Sequence, residues 1–207
     1  MKNIEELEPR NTTFVVLQAL TRLRQIAIHP RLIDPASTLE SGKFNEILSM
    51  LEILVAEHHK ILVFSSFVKH LNLLAESCKQ RQWGFCMLTG QTTDRKSVIA
   101  EFQSEKRKNI FLISLKAGGV GLNLTAADYI FIIDPWWNPA AEMQAISRAH
   151  RIGQDKKVFV YRFISENSIE EKIQILQEKK AALANEFINR NDPFAIFRKE
   201  ELIQLFE

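Results

Sequence analysis

Two arginines three residues apart, Arg148 and Arg151, close the stretch SRAHR, and Gln144 stands one helical turn before the first of them. On a helix, at about 100° per residue, Gln144, Arg148 and Arg151 fall within about 60° of one another and form one polar stripe. Arginine keeps its charge at every physiological pH and offers phosphate oxygens a planar fork of donors. Two forks one turn apart could hold a γ-phosphate and the charge that develops as it leaves. Alone, such a pair is ordinarily a solvated basic face, so the reading depends on what else the chain carries.

A glycine-rich turn, SLKAGGVGLNL (Ser114 to Leu124), adds Lys116 and the backbone freedom of Gly118, Gly119 and Gly121. That freedom permits tight turns and close approach of a ligand. The turn is not a G-x-G-x-x-G motif, and no Gly-Lys-Ser/Thr follows it. Gly42-Lys43 fails as a P-loop, because Phe44 replaces the Mg²⁺-binding hydroxyl and Ser37 stands where the first glycine belongs. Asp134 ends an apolar run as a metal-holding aspartate would. Pro135 and Trp136 follow it, however, with no second carboxylate to polarise water. The sequence thus offers phosphate-facing arginines without a nucleotide cradle or a general base.

These residues need a scaffold, and the hydrophobic pattern implies one. Residues 12–30 and 41–59 read as amphipathic helices, the first with a stripe at Phe14, Leu17, Leu20 and Leu23, the second capped by Ser41. An alternation follows: strand 60–64, helix 68–82, strand 84–89, helix 92–103 capped by Thr92 or Thr93, and strands 109–114 and 129–134. Helix 138–152, with Asn138 as cap and Pro139 at its first position, leads to strand 157–165 and a long helix, 168–188, capped by Ser168. Residues 190–207 read as a loop and a short peripheral helix. Near-continuous apolar strands alternating with helices predict an α/β fold, a mostly parallel sheet with helices on both faces and further helices at the N- and C-terminal flanks. Ligands of such sheets sit at the carboxyl ends of the strands.

At 207 residues the chain is long enough for one full domain with appended helices. A formal net charge of +2 means that any basic surface is local. Cys78 and Cys86 read as lone buried thiols, and no His/Cys cluster has metal spacing. The His58-His59 pair reads as a solvated helix end. No apolar run reaches the roughly 20 residues of a membrane span, and the acidic N-terminus is not a signal peptide. A location in the cytoplasm (the nucleoid of a bacterium) or in a nucleus fits these features.

Taken together, LKAGGVGLNLTAADYIFIIDPWWNP and QAISRAHRIGQ resemble motifs five and six of the Swi/Snf-type branch of superfamily-two helicase-like ATPases. KILVFSSF resembles motif four, and LTGQTTDRKSVIAEF the segment after it. LQALTRLRQIAIHPRLI resembles the entry to the second motor lobe. The likeness runs from about Thr12 to Lys180. It implies a RecA-like C-terminal motor lobe at residues 41–166, a lobe-linking helix and loop at 1–40, and a bracing helix and tail at 167–207. In that family ATP with Mg²⁺ lies in a cleft between two lobes and is held mainly by an N-terminal lobe, supplied by the same polypeptide or in trans. The resemblance therefore implies that Arg148 and Arg151 are arginine fingers and that Gln144 helps order the nucleotide or links it to DNA. Gly119, Gly121, Leu122 and Asn123 would line the cleft, and Ser65, Ser66, Thr89, Gly90, Lys116 and Trp137 would face double-stranded DNA. Family members commonly carry Asp before the first finger, where this chain has Ser147. The implied activity is DNA-stimulated translocation that remodels a protein bound to DNA, without hydrolysis by this lobe alone. A free-standing DNA-binding or regulatory module is the alternative.

Overall fold

The computed structural model describes residues 9–117, 124–136, 138–147 and 156–183. The chain divides into two compact units, residues 41–164 and the pair of segments 1–40 and 165–207.

The larger unit is a five-stranded sheet. Its strands are β1 (Ile61–Ser65), β2 (Gly84–Leu88), β3 (Lys108–Ser114), β4 (Tyr129–Ile132) and β5 (Phe159–Arg162), in the order β2-β3-β1-β4-β5. Every pairing is parallel. Parallel neighbours need crossovers, and helices supply them. They are α3 (Val68–Gln80), α4 (Arg95–Ser104) and α5 (Pro139–Ile146), with α2 (Gly42–Ala56) leading into β1.

Strand alternation sorts the core into two layers. Ile61 and Val63, Ile110 and Leu112, and Phe131 and Ile133 join Ile47, Leu51, Leu71 and Leu74 of α2 and α3 on one face. Leu62 and Phe64, Phe111 and Ile113, and Ile130 and Ile132 join Phe102 of α4 on the other, with Ile146 of α5 packed against them. Both faces of β1 are covered, which is why its five residues read as an unbroken apolar run.

Several boundaries depart from the expectation for physical reasons. Strand β4 stops at Ile132 rather than at Asp134, because Asp134 turns to accept hydrogen bonds from the end of β1. Strand β5 then pairs with only the four residues of β4, so it spans 159–162 instead of 157–165. Helix α4 is capped by Asp94, whose side chain accepts from the Ser97 amide, and not by Thr92 or Thr93. Thr92 instead fastens the preceding turn to Thr89. The Ser41 cap is as expected, accepting from the Phe44 amide at 3.2 Å.

The smaller unit pairs α1 (Pro9–Ile28) with α6 (Ile169–Leu183). The buried stripe of α1 runs through Val16, Leu20, Arg24 and Ile28, a different phase from the expected Phe14, Leu17, Leu20 and Leu23, and Leu23 is exposed. Apolar residues surround much of this helix, so periodicity alone does not choose its buried face. Ser165 ties the two segments, donating its hydroxyl to the Ala27 carbonyl at 2.7 Å. Ser168 caps α6 through the Glu170 amide. The expected tail at 190–207 lies outside the described residues.

Candidate functional site

Because β2, β3 and β1 are neighbours, the loops leaving their carboxyl ends lie side by side. These loops carry Thr89-Gly90, Lys116 and Ser66.

Ser65 ends β1 fully buried. Its hydroxyl donates to Asp134 Oδ2 at 2.5 Å and accepts from the Phe67 amide at 3.0 Å. The Ser66 amide donates to the same carboxylate at 3.1 Å. The hydroxyl of Ser65, a residue expected to face DNA phosphate, is turned inward and consumed. Ser65 and Asp134 instead shape the β1–α3 turn, and half-buried Ser66 is the serine that this turn presents. Both Asp134 oxygens are occupied as acceptors, so this carboxylate acts as a mount for a loop.

After β2, the Thr89 amide donates to Thr92 Oγ1 at 3.0 Å, and the Gln91 amide donates to Thr89 Oγ1 at 3.2 Å. Thr89 is buried by this turn, while Gly90 is exposed at its tip. A Cβ built on Gly90 would meet nothing within 4 Å. After β3, the Leu115 amide donates to the Ser65 carbonyl at 3.0 Å, and Lys116 projects exposed from the turn. Ser114, the register partner of Ser65, is 3% exposed, and its hydroxyl has no hydrogen-bond partner among the described residues. The sequence reading passed over this residue.

Helix α5 follows β4. Asn138 Oδ1 accepts from the Ala140 amide at 3.0 Å, which starts the helix where the sequence predicts. Buried Glu142 bonds to Arg162 of β5, and Ile146 packs on the sheet. Gln144 is exposed on this helix. Ser147 returns its hydroxyl to the Gln144 carbonyl at 2.8 Å, so it is satisfied within its own helix. Arg148, Arg151, Gly119, Gly121, Leu122, Asn123 and Trp137 lie outside the described residues.

The amino ends of the strands are organised as well. Asp128, just before β4, accepts from the Lys60 amide at 3.0 Å. His59 Nδ1 lies 2.7 Å from Asp128 Oδ2, and its ring meets Tyr129 edge-on at 4.7 Å. His59 is therefore a partnered side chain, not the solvated helix end that was expected. Lys60 donates to the carbonyls of Phe102 and Glu105, and burial pushes its pKa down.

A parallel sheet with two covered faces and these strand-end loops defines a RecA-like lobe. Residues 42–153 match the family model described as helicase conserved C-terminal domain. The DNA repair protein RAD5B of Arabidopsis thaliana is 43% identical over 81% of this chain and 13% of its own length. Two Sulfolobus solfataricus structures superpose over 99% of this chain. The SWI2/SNF2 ATPase C-terminal domain has a TM-score of 0.78 and 28% identity, with 86% of that chain covered. The SWI2/SNF2 ATPase core in complex with dsDNA has a TM-score of 0.81 and 29% identity, with 44% covered. This chain belongs to the helicase conserved C-terminal domain family, as the C-terminal RecA-like lobe of the Swi2/Snf2 type. It spans 12–20% of the length of the curated relatives it matches.

Proposed function

We propose that this chain is the second motor lobe of a DNA-stimulated, ATP-dependent double-strand DNA translocase that remodels protein–DNA complexes. The grouping of Ser66, Thr89-Gly90 and Lys116 at one end of the sheet carries this reading. Backbone amides, hydroxyls and a cation in that arrangement suit DNA phosphates, and the open tip at Gly90 leaves room for a backbone to approach closely. The SWI2/SNF2 core solved with dsDNA supports it. Arg148 and Arg151 serve as fingers on the γ-phosphate of ATP, with Gln144 ordering the nucleotide and the 119–123 turn lining the cleft. Mg²⁺ belongs to the N-terminal lobe. Within this lobe the Asp134 oxygens are already engaged by Ser65 and Ser66.

The test is ATP hydrolysis by the purified chain, alone and joined to an N-terminal lobe bearing a P-loop, each with and without duplex DNA. The expected result is no turnover alone and DNA-stimulated turnover when joined. Hydrolysis by the chain alone would overturn the half-site reading. DNA binding without turnover in the joined protein would favour a regulatory module.

A further inference from the structure

At the opposite end of the sheet, the amino ends of the strands frame a cleft of about 1040 Å³. Four cations line it, Lys60, Lys106, Arg107 and Lys156, and no carboxylate does among the described residues. Lys60 is spent on the carbonyls of Phe102 and Glu105, and Lys156 lies 3.6 Å from Asp128. Lys106 and Arg107 differ from these two. Both are exposed, and neither makes an ion pair among the described residues.

The backbone around this cleft is specialised. Helices α2 and α3 both end at its rim in the same cap. The His59 amide returns to the Leu54 carbonyl and the His58 amide to Val55; the Trp83 amide returns to Cys78 and the Gln82 amide to Lys79. The left-handed position of such a cap is ordinarily glycine. Here it is His58, at φ 61°, and Gln82, at φ 57°, and both side chains line the cleft. Each position accepts the strain of a side chain at positive φ. Gly84 provides the reverse case: a Cβ there would lie 1.8 Å from the Arg107 carbonyl oxygen, so glycine is required for the 106–107 turn to press against β2. Glycine is therefore absent where a side chain can reach the cleft and present where the basic turn must be seated.

We propose that this cleft is a second nucleic-acid contact, in which Lys106 and Arg107 hold phosphodiester groups and Trp83, with Gln82, meets a base or sugar. A strand backbone is a repeated monoanion without need of bidentate partners, which suits a lysine-rich cleft. Trp83 packs partly against the core and carries Arg81 5.5 Å over its ring, so a base or sugar would meet this Arg81–Trp83 pair, and Gln82 adds an amide, features that nucleic acid uses and a bare phosphate does not. The site stands apart from the strand carboxyl ends and does not rest on the translocase reading.

Fluorescence anisotropy of a labelled single strand and of a labelled duplex, titrated with the 207-residue chain, tests the proposal. Against wild type stand K106E/R107E, K116E, and R22E/K172E as a control with the same change of charge at exposed residues elsewhere. K106E/R107E is expected to weaken binding of one or both probes about fivefold or more and to lower the salt exponent by about 1–2. The probe more affected identifies the strand form. The K116E loss should multiply with it, as for independent sites. An iododeoxyuridine-substituted probe should cross-link to the peptide containing Trp83. K106E/R107E binding both probes within about twofold of wild type, or no more weakly than R22E/K172E, would overturn the proposal. So would a glutamate-rich peptide that binds wild type and is lost in K106E/R107E while the oligonucleotides stay bound. Loss in K116E alone would spare the carboxyl-end surface and eliminate this one.

Discussion

Strand β4 is bracketed by two aspartates, Asp128 before it and Asp134 after it, and each accepts the backbone amide of a residue flanking β1. The two ends are built alike in plan but differ in chemistry. Asp134 is fully buried and accepts hydrogen bonds from Ser65 and Ser66. Asp128 sits nearer the surface, with the ionisable side chains of His59 and Lys156 beside it, 31% and 63% exposed. Hydrogen bonds to a buried carboxylate are strong and costly to leave unmade, whereas exposed ion pairs contribute little. The carboxyl end is thus a stiff mount that fixes loops for a ligand, and the amino end is a looser brace beside a basic cleft.

The sharpest separation of the ends is expected from Arg148→Ala in a two-lobe protein. Fingers of this kind are worth roughly 10³–10⁵ in rate, so turnover should fall by at least about a thousandfold while duplex DNA binding stays within about threefold. Steady-state hydrolysis and anisotropy measure the two quantities. Turnover within about tenfold of wild type would remove the finger role and with it the assignment of hydrolysis to the carboxyl end.

Asp134→Ala and Asp128→Ala compare the mounts themselves. Asp134→Ala leaves a buried hydroxyl and a buried amide without their acceptor and should cost about 3 kcal/mol. Asp128→Ala removes one amide bond and partners that water can replace, and should cost about 1 kcal/mol. Urea denaturation of the isolated chain gives both values. Equal costs would break the comparison.

How much of this was legible beforehand follows the same division. The parallel sheet was readable because β1, β3 and β4 are apolar on both faces, a pattern few other folds produce. The Asn138 and Ser41 caps were readable because capping is local. The two aspartate mounts were not, since each joins residues 68 or 69 positions apart and a sequence shows no such contact. A near-symmetric cue was present in DYIFIID, an apolar run with a carboxylate at each end, but a charged residue at a strand end is also what any solvated loop shows. The inward turn of the Ser65 hydroxyl was hidden for the same reason: a serine after a buried strand reads alike whether it turns out or in. The amino-end cleft escaped notice because its four cations come from three separate strand approaches and form no motif.

Between the two ends lies the core, and its thiols report on it. Burial pushes Cys78 up to about 12 and Cys86 to about 11, from an ordinary value of 9.0. The folded state therefore favours the protonated thiols. Their contribution is complete below about pH 9 and is lost as pH rises through the folded values. By pH 10 the Cys78 share should amount to about 1 kcal/mol of lost stability. Denaturation midpoints of wild type and Cys78→Ala, measured from pH 8 to 10, should converge by about that much. Parallel curves would mean that the core between the two mounts opens to solvent more readily than they do.

The smallest effect has the opposite sign and tests the carboxyl end at its weakest point. Ser65 and Ser114 are register partners at the ends of β1 and β3. One hydroxyl is doubly engaged, and the other is buried with no partner among the described residues. A buried polar group without a bond is a net cost. Ser114→Ala should therefore be neutral or stabilise the free chain by about 0.5 kcal/mol. Urea denaturation with and without saturating duplex DNA separates two meanings of that result. A gain that DNA erases would show that Ser114 holds its hydroxyl in reserve for the bound state, and the stiff mount would then include a donor that only the ligand satisfies. A gain that DNA leaves untouched would make the hydroxyl a cost of the fold alone, and the carboxyl end would be less fully adapted to a ligand than its other loops suggest.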